Sequence, residues 1–302
     1  MLRKTLPTYK LCAVILVAIA GAVAVSTQNH QEKVAPERGS ADAPLNSQLV
    51  KTGLFLISGG GANTLLRFSA NGLILVDGKL PDNYRALMSE VRSISKITDL
   101  PVRVLIVTDH HENHIGANTK FLAAGVQIIA QENVRHNLTA YNPSGGKVAP
   151  PSYTYDRDFT LRLGGVEARL MHFGAAHTSG DTVVYFPNLK VVAVGDLFTP
   201  NTPDPDFSGG GSLVNWGPAL DQILKLDFDV VAPSAGPPVN RADLEAFKTK
   251  IDTLVSRATG LVKKGVPKDQ LMAQLKTDDL GWRFNFTGDQ LDRFYNELSH
   301  TK

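Results

Sequence analysis

Thr108-Asp109-His110-His111-Glu112-Asn113-His114-Ile115-Gly116 follows directly on an apolar run, Val102-Arg103-Val104-Leu105-Ile106-Val107. The run reads as a buried strand, which places the polar cluster on the loop leaving its end. Three histidines and two acids within six residues are more than a solvated loop requires. Imidazoles and carboxylates converging at a strand end are the usual ingredients of a metal site.

On either side of this cluster, short strands alternate with helices. Leu54-Phe55-Leu56-Ile57 and Asn63 to Phe68 read as strands around the turn Ser58-Gly59-Gly60-Gly61. Asn71-Gly72 is a hairpin signal, and Leu73-Ile74-Leu75-Val76 follows as a strand ending at Asp77-Gly78. Leu87, Val91 and Ile94 lie at helical spacing within 84–94, and 118–124 reads as another helix. A strand is expected at 126–129, then a long Pro/Gly/Ser-rich surface loop over 142–155. Beyond it, strands are expected at 159–163, 166–170, 182–186, 190–194 and 230–232. Helices are expected at 218–226, 243–262, 268–275 and 288–298. Strand runs interleaved with helices, but with few tight βαβ repeats, favour a layered αββα sandwich over a doubly wound sheet.

The 302 residues are 43% hydrophobic and 20% charged with a net charge of +2, enough to bury a large core. Acids and bases are interspersed, so no electrostatic footprint for nucleic acid is present. At the N-terminus Arg3, Lys4 and Lys10 precede an apolar run from Leu11 to Val25 containing Ala22-Val23-Ala24. That is the layout of an export signal, cleaved after Ala24 or retained as an anchor. The organisation expected is a signal or anchor over 1–25, a flexible tether over 26–47 and a single domain over 48–302. An exported protein, periplasmic or secreted, follows. The single cysteine, Cys12, lies in the leader, so no thiolate ligand is expected in the domain.

Two further polar positions stand at strand ends. His177 lies in Gly174-Ala175-Ala176-His177-Thr178-Ser179-Gly180-Asp181, before the 182–186 strand, and Asp196 lies in Gly195-Asp196-Leu197-Phe198, after the 190–194 strand. Singly, His177 reads equally as a turn cap and Asp196 as a helix start. In order, Leu75-Val76-Asp77, the His cluster, Gly174-x-x-His177-Thr178-x-Gly180-Asp181 and Gly195-Asp196-Leu197-Phe198 resemble the metallo-β-lactamase superfamily across roughly 49–238. The resemblance implies a four-layer αββα sandwich with one or two zinc ions between loops at one edge of the sheets.

The ligand set departs from that family. Its usual cluster is Thr-His-x-His-x-Asp-His; here Asp109 stands for the first His and Asn113 for the Asp. The family's Pro-Gly-His-Gly turn matches Pro233-Ser234-Ala235-Gly236, and Ala235 has no donor. By position, the resemblance assigns one metal site to Asp109, His111 and His177, and leaves His114 and Asp196 for a second, weak or empty one. A carboxylate is an ordinary zinc ligand, and three protein ligands suit a catalytic ion; other divalent metals fit as well. Asp77 matches an acid that orients the loop or a ligand imidazole from behind. His110 and Glu112 occupy variable family positions and are expected to point elsewhere. A rival pairing of His110 with His114 at helical spacing is the minor geometry.

The function implied is an exported metal-dependent hydrolase in which a metal-bound hydroxide attacks an ester, lactone, thioester or amide. Asn113 can orient a water but cannot take its proton, which leaves Asp196 or His114 as the base. The alternative is a catalytically degenerate member that binds a small molecule or partner without turnover. The partner expected is a small-molecule substrate, with no nucleic acid and no membrane contact beyond the N-terminal segment. The glycine-rich stretch Phe207 to Ser212 with Trp216, and the 142–155 loop, read either as pocket walls or as solvated connectors.

Overall fold

The computed structural model describes residues 44–301 apart from 97 and 145. The expected leader and most of the expected tether lie outside the described residues. The strands are β1 (Asn46–Lys51), β2 (Leu54–Ser58), β3 (Thr64–Ser69), β4 (Gly72–Val76), β5 (Val102–Ile106), β6 (Gln127–Gln131), β7 (Tyr153–Tyr155), β8 (Asp158–Leu163), β9 (Val166–Met171), β10 (Val183–Phe186), β11 (Val191–Gly195), β12 (Val230–Pro233) and β13 (Val239–Asn240). The helices are α1 (Tyr84–Ser95), α2 (Glu112–Ile115), α3 (Asn118–Ala123), α4 (Glu132–Asn137), α5 (Leu213–Leu224), α6 (Arg241–Lys263), α7 (Lys268–Gln274) and α8 (Gly288–His300).

β1 to β7 form one sheet in sequential order, and the second runs β13-β12-β11-β10-β9-β8. The sheets face each other across Leu56, Leu65, Ile74, Ile106, Leu170, Val184, Phe186 and Ala193. The first sheet's outer face, through Leu66, Leu75 and Leu105, packs on Leu87 and Val91 of α1 and Phe121 of α3. The second sheet's outer face, through Val183, Val192 and Val194, packs on α5, α6 and α8. This is the four-layer αββα sandwich. Covering both faces explains why Leu73 to Val76 and Val191 to Val194 are continuously apolar rather than alternating.

β4, β5, β6 and β7 run parallel, as do β11 and β12. Asp77, the Thr108 cluster, Asp196 and Ser234 therefore all leave the C-terminal ends of parallel strands. Thr182 N donates to Thr108 O at 2.7 Å and Asn63 N to Ser234 O at 2.6 Å, lacing the two sheets together at that edge.

Several local expectations are corrected. The first strand starts at Asn46, inside the span read as tether. The 142–155 segment ends in a strand, β7, paired with β6. α4 lacks an apolar stripe, burying only Val134, and is nucleated by the Gln131 side chain accepting from Asn133 N. α5 begins at Leu213, not Pro218, because Ser212 caps it by accepting from Asn215 N; Pro218 sits inside the helix.

Candidate metal centre

The His cluster folds as a turn followed by α2. Asp109 Oδ1 accepts from His111 N at 2.8 Å, and Asp77 accepts from Thr108 N and Thr108 Oγ1, each at 2.8 Å. Asp77 thereby ties the end of β4 to the start of the cluster. Its Oδ2 also lies 3.0 Å from His114 Nδ1. Thr108 Oγ1 spends its proton on Asp77 and stands 3.0 Å from the same nitrogen. Nδ1 of His114 therefore carries a proton, and Nε2 is the nitrogen that faces inward.

His177 is fixed by a second turn, in which Asp181 accepts from Thr178 N at 2.9 Å, Thr178 Oγ1 at 2.6 Å and Ala176 N at 3.2 Å. His177 Nε2 lies 3.1 Å from His111 Nδ1 and 3.2 Å from Asp196 Oδ2. His114 Nε2 lies 3.3 Å from Asp109 Oδ2 and 3.5 Å from Asp196 Oδ2. Ser234 Oγ donates to the other Asp196 oxygen. Asp109, His111, His177 and Asp196 each offer a donor atom within 4.8 Å of the others, a spacing one ion can span. Asp196 touches both His177 and His114, so it stands between the two ligand sets read from the sequence.

Whether these residues suit a metal is answered by two atoms. Asp109 Oδ2 and His114 Nε2 are buried, 3.3 Å apart, and neither is satisfied by a hydrogen bond. Leaving such atoms bare is costly unless something else engages them. Electrostatics agree. Burial alone would lower the His111 imidazole, yet Asp109 and Asp206 outweigh it and hold it at about 10. Burial likewise opposes ionisation of Asp109 and Asp196, but the surrounding histidines hold both below the usual carboxylate range. Such a pocket demands positive charge; protons on the imidazoles supply it, and a metal ion would displace them. The donor set fits.

Asn113 lines the mouth of the cleft with His177, Asp196, Ser234 and Ala235. Its backbone oxygen accepts from Ala62 N at 3.0 Å, which holds the glycine loop beside it. Glu112 turns away and accepts from Ser144 Oγ at 2.5 Å. His110 stands outside the Asp109, His111, His177 and Asp196 group, as expected, but does not reach solvent. It is buried, its Nε2 lies 3.4 Å from Asp206 Oδ2, and it forms no pair with His114. Asp206 is the residue that sequence reasoning missed: its Oδ2 also lies 3.1 Å from His111 Nε2. Of the glycine-rich stretch, Ser208 and Gly209 wall the adjoining cleft of about 490 Å³, whereas Phe207 and Trp216 belong to the core.

Fold and site together define a four-layer αββα sandwich with a group of residues that could hold a metal on the edge shared by the two sheets. A family model for the metallo-beta-lactamase superfamily matches residues 58–235, and the chain belongs to that superfamily. It is 27% identical over 233 residues to the 2,4-dinitroanisole O-demethylase subunit alpha of Nocardioides sp. (strain JS1661), covering 74% of this chain and 68% of that protein. Among solved structures, a metallo-beta-lactamase from Pontibacter korlensis superposes with a TM-score of 0.60 at 20% identity, covering 69% of this chain and 99% of that one. The metallo-beta-lactamase FIM-1 from Pseudomonas aeruginosa in its mono-zinc form gives 0.59 at 17% identity, covering 71% and 97%. At these identities the two structures establish the fold.

Proposed function

We propose that this protein is an exported hydrolase dependent on a single divalent ion, zinc in the first instance, acting on small substrates without negative charge. The observation that carries the reading is the convergence of His111 Nδ1, His177 Nε2, Asp109 and Asp196 at one point, with Asp109 Oδ2 and His114 Nε2 left without hydrogen bonds beside it. Bound there, a divalent ion supplies Lewis acidity and lowers the pKa of water toward neutrality. Asp109, His111 and His177 would hold it, with Asp196 completing the set. Ala235 and Asn113 stand where the family carries a histidine and an aspartate for a second ion, which favours one ion over two.

The chain's own residues then divide the remaining work. Asn113, at the mouth, can orient a water or a substrate oxygen but cannot accept a proton. His114 is backed by Asp77 with its Nε2 facing inward, and with Asp196 it is the candidate proton acceptor once a bound ion has displaced the proton that the carboxylates hold on it. The described residues lining the two adjoining clefts include Asp196, Asp204 and Asp206 and no lysine or arginine. An anionic substrate would find no fixed cationic partner there. Neutral esters, lactones, thioesters and amides suit such walls, and the likeness to an O-demethylase subunit adds aryl methyl ethers.

The test is a hydrolysis panel on zinc-loaded protein, with neutral aryl esters, lactones and nitroanisoles set against carboxylate-bearing β-lactams. Turnover of a neutral class that is lost on chelation and in His177→Ala is expected. Zinc binding without turnover of any class would favour the second reading, a binding protein on an enzyme's fold, which the changes at Asn113 and Ala235 also support.

A further inference from the structure

We infer that the loop 204–211 is an outer frame fixing both ligand histidines, with Asp206 the positioning residue for His111. This inference rests on the metal reading above.

The frame grips His177 twice. His177 Nδ1 lies 2.6 Å from Asp204 O, and Asp206 N donates to His177 O at 2.8 Å. A carbonyl carries no proton, so Nδ1 of His177 must carry one, and Nε2 is the nitrogen left to face the site. Asp206 does the same for His111. Its Oδ2 receives Nε2–H at 3.1 Å, which makes Nδ1, facing His177 Nε2 and Asp109, the nitrogen that a metal would take in exchange for its proton. Two imidazoles separated by 66 residues in the chain thus turn their remaining nitrogens to one point because one short loop accepts from the other nitrogen of each. An acid behind a ligand imidazole fixes its tautomer and ring orientation and raises its basicity.

Asp206 is itself held rigidly. Its Oδ1 accepts from Ser208 Oγ at 2.5 Å and Gly209 N at 2.9 Å, and Gly211 N donates to its backbone oxygen at 2.7 Å. The glycines allow the frame to lie this close. A Cβ on Gly209 would sit 2.4 Å from Asp206 Oδ2 and 2.6 Å from His110 Cε1, and one on Gly211 would sit 2.3 Å from His177 O. This accounts for the glycine-rich stretch without giving it a ligand of its own.

His110, His111 and Asp206 also lie close enough to suggest a second ion, but the hydrogen bonding assigns a different role. Asn137 Nδ2 spends its two hydrogens on Gly209 O at 3.0 Å and Ser179 Oγ at 3.1 Å, tying α4 to the frame. Asp206 Oδ2 can only accept, so His110 carries a proton on Nε2, 3.4 Å away. An ion at that point would displace the protons by which His110 and His111 hold Asp206. The cluster is a hydrogen-bonded hub that carries His111.

The experiment compares wild type, Asp206→Asn and Asp206→Ala. Zinc affinity is read by competition with a chromogenic chelator, the ligand field by the cobalt(II) absorption spectrum, and the His111 tautomer by nitrogen-15 NMR of the zinc form. Asp206→Ala should weaken zinc about 10- to 100-fold, shift the cobalt spectrum and lose the fixed Nε2–H signal of His111. Asp206→Asn keeps an acceptor oxygen without charge, and should lose less affinity and keep the tautomer. Should Asp206→Ala fail to fold, Asp206→Asn alone must still show weakened zinc binding. Affinities within about twofold of wild type in both variants, with an unchanged spectrum, would overturn the inference while leaving the metal reading intact. A wild type that binds no zinc would remove the metal reading itself.

Discussion

Lys79 offers a sharp test of how the loop beside the metal centre is held. Its side chain is 0% exposed, and Nζ donates to Ile57 O at 2.7 Å and Ala62 O at 2.6 Å, pinning the two ends of the glycine loop that flanks the cleft mouth. Two acceptors match the two N–H groups of a neutral amine. Burial pushes this amine from 10.5 down to about 7, against the opposing pull of Asp77. Because the folded pKa is depressed, the unfolded chain binds the proton between about 7 and 10.5 and the folded chain does not. The contribution to stability is fully present above about 10.5 and is lost as pH falls through that window to about 7. A tenfold change in a proton-binding equilibrium is worth about 1.4 kcal/mol, so the whole window amounts to roughly 5 kcal/mol. Lys79→Met removes the titration but leaves two buried carbonyls unpaired, at about 1–3 kcal/mol each. Urea denaturation of both proteins at pH 7, 8 and 9 should show wild-type stability rising relative to the variant by about 1 kcal/mol in the first step, where the folded amine is still partly protonated, and by about 1.3 kcal/mol in the second, since all other groups cancel in the difference. A difference independent of pH would mean that the amine is charged in the folded state, and would refute the reasoning.

Other perturbations follow from the same geometry. Asp181→Ala strips the acceptor from Thr178 N, Thr178 Oγ1 and Ala176 N in the His177 turn, and should cost about 3 kcal/mol by denaturant midpoint together with weaker metal binding. Gly209→Ala should push Asp206 and His110 apart and weaken zinc while leaving the helical content by circular dichroism unchanged. Gly260→Ala, inside α6 with open space around the new Cβ, should instead stabilise the fold by about 0.5–1 kcal/mol in thermal melts. Asn113→Asp combined with Ala235→His restores the family's missing donors, and should raise bound zinc above the wild-type level by elemental mass spectrometry.

Most of the fold was legible because both faces of each sheet are covered. Runs such as Leu73 to Val76 and Val191 to Val194 are unmistakable in composition, and Asn71-Gly72 marks the β3–β4 hairpin through Gly72 at φ 138°. The departures have local causes. α4 has no apolar period to read, and Ser212 captures the start of α5 ahead of the proline that looked like its first turn. In the site, the residues at strand ends were visible because each follows or precedes an apolar run. Asp206 was not, since it lies in Pro205-Asp206-Phe207-Ser208-Gly209, 95 residues from His111, and only the tertiary approach of the loop gives it a partner. The one available signal was an acid just ahead of three glycines, a stretch that permits close backbone approach. The hub role of His110 was hidden for the same reason.

The most direct measurement is the metal content of purified protein, by elemental mass spectrometry, for wild type and for His111→Ala and Asp109→Ala. The account predicts about one divalent ion per chain in wild type and its loss in both variants, whose folded signatures are otherwise retained. A wild type that remains empty after incubation with excess zinc, manganese or iron would contradict it, as would an ion that survives both substitutions.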